Sequence, residues 1–279
     1  MNNLKFIIKI SRPRFWFYLA GPVMIGFIAF KTNINVFLDP LFYILFLYFL
    51  LPANIYLYGV NDYFDLKTDL LNPKKDKKEI RLADESKRNL IKIYSILFLI
   101  LSLTLIYFLP NLKAQIIALL FLFLATFYST PPLRFKSKIF LDFISNILYI
   151  LPALLAYSYL SNQWPQILIV IAAAFWSFAM HLFSAIPDIH FDKKANLITS
   201  AVFLGEKFSL FLCFIFWLIF ATIIIYLNLI SPLNILFLIY PLIPLILLFK
   251  KGGAAKIYWY FPWINSLLGF IAFWYILIV

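Results

Sequence analysis

Long apolar stretches alternate with short polar segments along the whole chain. A helix needs about 20 apolar residues to cross the hydrocarbon core of a bilayer, so stretches of this order predict transmembrane helices. Nine are predicted, at residues 15–30, 41–60, 93–109, 114–127, 139–160, 167–186, 208–227, 233–249 and 257–279. The pattern therefore predicts an all-α fold, a polytopic membrane bundle of nine transmembrane helices forming a single domain over residues 1–279.

Composition supports this interpretation. Hydrophobic residues make up 64% of the chain and charged residues only 13%. Soluble domains have about 45–50% apolar and about 25% charged residues, so an ordinary soluble protein is excluded. The single cysteine, Cys213, lies in an apolar stretch, which excludes both a disulfide framework and a cysteine-based zinc site.

Positive charge is concentrated in alternate polar segments. Of the 24 lysines and arginines, 22 lie in residues 1–14, 61–92, 128–138, 187–207 and 250–256. Because cytoplasmic loops of membrane proteins carry an excess of Lys and Arg, this split predicts a cytoplasmic amino terminus and an outer carboxyl terminus. The net charge of +12 is therefore explained by loops that set the membrane orientation and contact anionic lipid, and no nucleic-acid partner is expected.

A first cluster of carboxylates follows the second predicted helix. It consists of Asn61, Asp62, Asp65 and Asp69, with aspartates three and four residues apart. If the helix continues to Pro73, this spacing places the three carboxylates on one face, where they repel one another unless a cation binds.

A second cluster, Asp188 and Asp192, ends the sixth predicted helix. Pro187 precedes it and removes one helical hydrogen bond, so a kink is expected there. Solvated carboxylates at helix ends are the plain alternative for either cluster. Two clusters on the same side of the membrane favour a metal site instead.

Carboxylate oxygens suit Mg²⁺, which keeps several waters and bridges to substrate phosphates. Two facing clusters could therefore bind a diphosphate through shared Mg²⁺ ions, which would neutralise charge on a departing diphosphate. The predicted metal ligands are Asp62, Asp65, Asp69, Asp188 and Asp192, of which Asp62, Asp65 and Asp188 are predicted to be catalytic.

Polar and basic residues near the clusters are candidate substrate-binding groups. They are Asn54, Tyr58, Asn61, Arg12, Tyr128, Arg134, Lys136 and Lys193. For each basic residue the alternative is a simple cytoplasmic anchor of the positive-inside kind. Within the predicted helices, Asp142 is expected to pair with Arg134 or Lys136, and His181 to be a packed, hydrogen-bonded residue.

At these residues the chain resembles the UbiA family of membrane prenyltransferases. The family's motif N-D-x-x-D-x-x-x-D is matched by the first cluster and its motif D-x-x-x-D by the second. The resemblance covers the whole chain. It implies that both clusters bind Mg²⁺ and a prenyl diphosphate donor, and that the enzyme transfers the prenyl group to a lipophilic acceptor in the membrane.

Three further segments look like the carotenoid-acting branch, the lycopene elongases. They are Ser-Arg-Pro-Arg-Phe-Trp at 11–16, Tyr-Ser-Thr-Pro-Pro at 128–132 and His-Leu-Phe-Ser-Ala-Ile-Pro-Asp at 181–188. This resemblance implies dimethylallyl diphosphate as donor and lycopene as acceptor. The alternative within the family is a quinone precursor such as 4-hydroxybenzoate or dihydroxynaphthoate.

The chain lacks features that are typical of two other classes of membrane protein. A CDP-alcohol phosphotransferase would need a D-G-x-x-A-R element, whereas Asp62 is followed by Tyr63. A transporter typically has charges near the midplane on broken helices in matched halves. The carboxylates here lie at helix ends, and no matched halves are evident in the sequence.

Overall fold

The computed structural model describes residues 2–30, 34–66, 80, 82, 84–250 and 252–278, and every regular element in these ranges is helical. The α-helices are α1 Asn3–Ile10, α2 Phe17–Phe30, α3 Pro40–Leu50, α4 Pro52–Phe64, α5 Glu85–Phe108, α6 Leu112–Phe127, α7 Leu141–Ile144, α8 Leu151–Ser161, α9 Ile167–Ala185, α10 Ile189–Lys194, α11 Ser200–Leu227, α12 Ile239–Phe249, α13 Ala254–Tyr258 and α14 Phe261–Ile278. Short 3₁₀ helices occupy Pro13–Phe15, Ile34–Leu38, Phe135–Ser137, Ser145–Tyr149, Ile186–Asp188 and Leu233–Leu238. The predicted all-helical fold is confirmed.

Five of these helical stretches are long and apolar enough to cross a membrane. They are Pro40–Phe64, Glu85–Phe108, Ile167–Lys194, Ser200–Leu227 and Phe261–Ile278. The number rises to seven if two bent pairs each form one span. These are Asn3–Phe15 with Phe17–Phe30, bent by 59°, and Leu141–Tyr149 with Leu151–Ser161, bent by 42°. Two shorter apolar helices cover Leu112–Phe127 and Leu233–Phe249, and a count of nine stays a prediction.

The bundle has two main apolar cores. The first is formed mainly by α2, α3, α4, α6 and α8, and the second mainly by α9, α11, α12 and α14. In the first core α2 approaches α8 very closely, because Gly26 has no side chain. A Cβ atom at Gly26 would lie 2.2 Å from the carbonyl oxygen of Ala153.

The helix bearing the first aspartate cluster differs from its prediction in two ways. The expected single helix breaks at Leu51, between α3 and α4. It then ends at Phe64, where Asp65 has φ −99° and ψ 9°, so the prediction of one helix continuing through the cluster was wrong. Just beyond this end, Asp65 forms ion pairs with Arg134 and Lys136. Asp69 lies outside the described residues.

Candidate active site

Members of both aspartate clusters line one cavity of about 250 Å³. Asn61 and Asp65 reach it from the end of α4, and Asp188 and Asp192 reach it from the junction of α9 and α10. Asp65 of the first cluster is more than 120 residues from Asp188 of the second in sequence, yet these side chains face a common cavity. The predicted convergence of the two clusters is therefore present in the structure.

The backbone around Pro187 explains how the second cluster is presented. The expected kink is confirmed, since α9 ends at Ala185 and a 3₁₀ turn follows over Ile186–Asp188. Proline cannot donate the hydrogen bond that would continue the α-helix, and the tighter turn replaces it. The helix then resumes as α10, which contains Asp192.

Basic side chains contact the first cluster. Arg12 Nη2 donates to Asp62 Oδ1 over 2.7 Å, and Arg134 Nη2 lies 3.3 Å from Asp65 Oδ1. Lys136 is only 6% exposed and forms an ion pair with Asp65. Its Nζ also donates to Asn61 Oδ1 over 3.0 Å. A lysine is rarely buried without charge partners, so Lys136 belongs to the polar wall of the cavity.

Aromatic rings form much of the remaining wall. The Arg12 guanidinium lies 4.6 Å from the centroid of the Tyr58 ring. Tyr58 packs against Phe15, with ring centroids 5.9 Å apart, and its hydroxyl is 3.4 Å from the hydroxyl of Tyr149. The cavity therefore combines charged groups with the faces and edges of aromatic rings.

The structure brings most of the predicted site residues together. Those lining the cavity are Arg12, Tyr58, Asn61, Asp65, Tyr128, Lys136, Asp188 and Asp192. Asp62 and Arg134 contact this group through Arg12 and Asp65 without lining the cavity. The side chain of Lys193 is exposed on α10 and does not line the cavity, contrary to the prediction.

Asn54 does not line the cavity either, so its predicted role in substrate binding is corrected. It is fully buried, and its Nδ2 donates to the carbonyl oxygens of Phe49 and Leu50, at 2.8 and 3.0 Å. Those carbonyls lie at the end of α3, where the helix break leaves them without helical partners. The side chain therefore stabilises the break.

Asp142 differs from its prediction, and His181 lines the cavity as well as packing against Tyr128. Asp142 accepts hydrogen bonds from both the amide and the hydroxyl of Ser200 and from the amide of Phe143. The expected pairing of Asp142 with a basic residue was therefore wrong, because it satisfies donors at the start of α11. His181, expected to be a packing residue, lines the cavity with its ring edge-on to Tyr128 at 5.9 Å.

A second cavity of about 600 Å³ adjoins the first, and Tyr18 and Trp176 line both. Its lining residues come from α2, α8, α9, α11, α12 and α14 and are mostly apolar or aromatic. Among them Trp263 is 72% exposed and Phe270 58% exposed. Exposed large apolar side chains on a membrane protein face lipid, so the apolar cavity adjoins the lipid-facing surface.

A scan against protein families matches the model of the UbiA prenyltransferase family over residues 19–267. That match includes both aspartate clusters and most of the two cavities. The chain belongs to the UbiA prenyltransferase family. It is accordingly an integral membrane enzyme, and the family resemblance expected from the two motifs is confirmed.

Three relatives named lycopene elongase/hydratase match 80% or more of the chain. A lycopene elongase/hydratase of Haloarcula japonica is 40% identical over 271 residues, covering 96% of this chain and 90% of the relative. One from Halobacterium salinarum is 39% identical over 267 residues, covering 96% and 95%. One from Corynebacterium glutamicum is 26% identical over 80% of this chain and 78% of its own.

Solved structures share the UbiA fold. A UbiA homologue from Archaeoglobus fulgidus, bound to DMAPP and Mg²⁺, superposes with a TM-score of 0.72 at 23% identity, covering 98% of this chain and 99% of that one. A digeranylgeranylglyceryl phosphate synthase superposes with a TM-score of 0.67 at 20% identity over the full length of both chains.

The donor set of this UbiA member fits Mg²⁺ held jointly with a substrate. Among the described residues, no three or more His, Cys, Asp or Glu side chains form a group that could hold a metal ion. Mg²⁺ typically takes one or two carboxylates and completes its shell with waters and substrate phosphates. Asp65, Asp188 and Asp192, facing one cavity beside the Asn61 amide, are oxygen donors of that kind.

Proposed function

We propose that this UbiA prenyltransferase transfers a five-carbon prenyl group, with Mg²⁺, from dimethylallyl diphosphate to an end of lycopene or a similar carotenoid. The observation that carries the proposal is the junction of two unlike cavities. One is lined by carboxylates of both aspartate clusters, the other is large and apolar, and they share Tyr18 and Trp176. The names of the relatives support the choice of donor and acceptor.

The donor's diphosphate binds in the cavity lined by the carboxylates. Asp65, Asp188 and Asp192 would hold Mg²⁺, and the family motifs add Asp62 and Asp69 to this ligand set. When bound, the metal neutralises charge that develops on the departing diphosphate. Arg12 and Lys136, both at the cavity wall, donate charge-assisted hydrogen bonds to the phosphate oxygens.

The aromatic wall then acts on the prenyl group. Loss of diphosphate from an allylic carbon leaves a carbocation, which is attracted to the negative faces of aromatic rings. Tyr18, Tyr58, Tyr149 and Trp176 line the cavity between the carboxylates and the apolar region. Their rings stabilise the cation and keep bulk water away from it.

The acceptor lies in the apolar cavity. Trp176 is about 18 Å along the helix from Asp188, so a long hydrocarbon in that cavity reaches the donor only with its end. Lining groups such as Met24, Ile25 and Phe273 suit a hydrocarbon, and the exposed rim at Trp263 and Phe270 allows entry from lipid.

The enzyme is oriented with its amino terminus and diphosphate site on the cytoplasmic side, and it has nine spans. Five long helices, two bent pairs and two shorter apolar helices coincide with the nine predicted stretches, which supports this count. The distribution of lysine and arginine supports the orientation.

The test incubates membranes containing the enzyme with labelled dimethylallyl diphosphate, lycopene and Mg²⁺, followed by mass analysis of extracted carotenoids. We expect products heavier than lycopene by one or two five-carbon units. Unchanged lycopene with prenylated 4-hydroxybenzoate or dihydroxynaphthoate would identify the acceptor as a quinone precursor instead.

Aspartate variants test the metal-diphosphate site in the same assay. Asp65→Asn and Asp188→Asn should each lower turnover by about 1,000-fold or more, since stabilising the leaving group is worth several kcal/mol. Glu206→Gln is the matched control, because Glu206 is exposed on α11 and lines neither cavity. Near wild-type turnover of both aspartate variants, or full activity in excess EDTA, would contradict the proposed site.

A further inference from the structure

A hydrogen-bonded group of three residues lies at the border of the two cavities. Tyr240 Oη donates to Asn265 Oδ1 over 2.7 Å, and Asn265 Nδ2 donates to Tyr18 Oη over 3.0 Å. All three residues line the apolar cavity, and Tyr18 also lines the polar one. We call Tyr18, Asn265 and Tyr240 the border triad.

We propose that the border triad binds the water molecule that captures the carbocation formed on the acceptor, so that it decides whether the product is an alcohol or an alkene. This inference rests on the proposed function, because the cation of an alkene acceptor can take up water, whereas that of an aromatic acceptor loses a proton to restore the ring. A water in an apolar cavity needs about two to four polar partners. The triad supplies them in a wall that is otherwise mostly hydrocarbon and aromatic rings.

The hydrogen-bonding capacity of the triad is not used up by its internal contacts. Tyr18 accepts from Asn265, and among the described residues its own hydroxyl proton has no acceptor. The Asn265 carbonyl oxygen accepts from Tyr240 and retains a second lone pair. A water that accepts from Tyr18 and donates to Asn265 would keep a lone pair available to face the cavity.

The position of the triad matches the place where the cation forms. The new carbon–carbon bond forms where the donor and the end of the acceptor meet, and this is where Tyr18 and Trp176 border both cavities. The positive charge arises on the alkene carbon next to that bond. A water held by Tyr18 is therefore beside the carbon it must attack.

The chemistry balances without an oxidant or reductant. The allylic C–O bond breaks and its electron pair leaves with the diphosphate, while the π pair of the acceptor alkene forms the new C–C bond. A lone pair of the water oxygen then bonds to the cationic carbon, and the released diphosphate takes the proton from that oxygen. Without a bound water, the diphosphate takes a proton from a neighbouring carbon and an alkene results.

The experiment measures the ratio of alcohol to alkene products made from dimethylallyl diphosphate, Mg²⁺ and lycopene in H₂¹⁸O. The wild-type enzyme should form an alcohol that carries ¹⁸O. Tyr18→Phe and Asn265→Leu should each lower the alcohol-to-alkene ratio about tenfold, as expected for losing one hydrogen bond to the water. Because the ratio compares products of the same turnovers, it reports the capture step even where a substitution also slows diphosphate release.

Tyr159→Phe is the matched control for the loss of a tyrosine hydroxyl. Its hydroxyl donates to Asp39 and the residue lines neither cavity, so the product ratio should stay at the wild-type value. Size-exclusion chromatography in detergent checks folding, since a folded variant elutes at the same volume as the wild-type enzyme. If Asn265→Leu is misfolded, Tyr18→Phe and Tyr240→Phe decide the outcome.

Two results would overturn the inference while leaving the proposed function intact. One is a wild-type product that is wholly alkene, and the other is an unchanged product ratio in Tyr18→Phe with diphosphate release continuing. Failure of the proposed function looks different, because the wild-type enzyme would then release no diphosphate and form no prenylated carotenoid.

Discussion

Two arginines beside the carboxylates have a backbone conformation that residues with side chains rarely adopt. Arg12 has φ 51° and Arg134 has φ 39°. Holding a non-glycine residue in this region costs about 1–3 kcal/mol, so its surroundings must favour it. Each residue precedes a 3₁₀ turn, and each guanidinium contacts a different aspartate of the first cluster, Asp62 or Asp65. The two turns therefore serve to place positive charge around one set of carboxylates.

Lys136 provides a sharp test of the charge arrangement, because an otherwise similar lysine lies two residues away. Lys136 is buried against Asn61 and Asp65, whereas Lys138 is exposed. A charge-assisted hydrogen bond contributes about 1.5–3 kcal/mol, so Lys136→Met should lower kcat/KM for the prenyl diphosphate by about 10- to 100-fold. Lys138→Met should leave it unchanged in the same steady-state assay. Equal effects of the two changes would mean that only overall charge matters.

At the scale of single residues, the sequence predicted most of the residues that form the site. It predicted less well which atoms each of them contacts. On one continuous helix, Asn54 would lie on nearly the same face as the aspartates of the first cluster. That reasoning assumes an uninterrupted helix, and the break at Leu51 leaves backbone carbonyls that Asn54 satisfies. His181 lies seven residues before Asp188, a spacing that returns to the same face of a helix, and both residues line the cavity.

At the scale of helices, apolar stretches predict elements well and their ends poorly. Backbone groups in lipid must be satisfied internally, so every predicted stretch is largely helical. The ends depend on distant partners. α11 includes a short stretch from Ser200 that the sequence did not predict, and a non-helical Gly205, with φ 72° and ψ 169°, separates it from the helix predicted to start at residue 208. The amide of Ser200 donates to Asp142 from another part of the chain. Such a cap between remote residues leaves no local signal in the sequence.

The close approach of α2 and α8 predicts a stability effect at Gly26. A Cβ atom there would lie 2.2 Å from Ala153 O and 2.8 Å from Ala156 Cβ. Gly26→Ala must therefore push the helices apart, and overpacking of this kind costs about 1–3 kcal/mol. We expect a lower Tm in a thermal unfolding assay in detergent.

Gly21→Ala is the control on the same helix, since its nearest contact would be an ordinary 4.0 Å to Phe17 Cβ. Alanine favours helix over glycine, so this change should leave Tm equal or slightly higher. If the two substitutions lowered Tm equally, the close helix approach at Gly26 would not be the cause.

At the scale of the whole molecule, the sequence indicated only one of the two cavities. The motifs indicated a diphosphate site because its carboxylates form two compact clusters. The apolar cavity has no such motif, since Gly21, Ala173, Phe220 and Phe273 lie on four different helices and look like packing residues in the sequence. Only the packing of these helices reveals a space of about 600 Å³ beside the aspartates.

The orientation of the molecule is tested by reporters fused at two positions in its last part. The charge split predicts that residues 250–256 are cytoplasmic and that the last helix, α14, crosses to the outer side. Alkaline phosphatase fused after residue 279 should be active, because this enzyme folds only outside the cytoplasm. The same reporter fused after Lys256, before α14, should be inactive, while green fluorescent protein fused there should fluoresce.

The reverse pattern would contradict the proposed cytoplasmic diphosphate site. Equal signals from the two fusion points would show that α14 does not span, and they would reduce the count below nine.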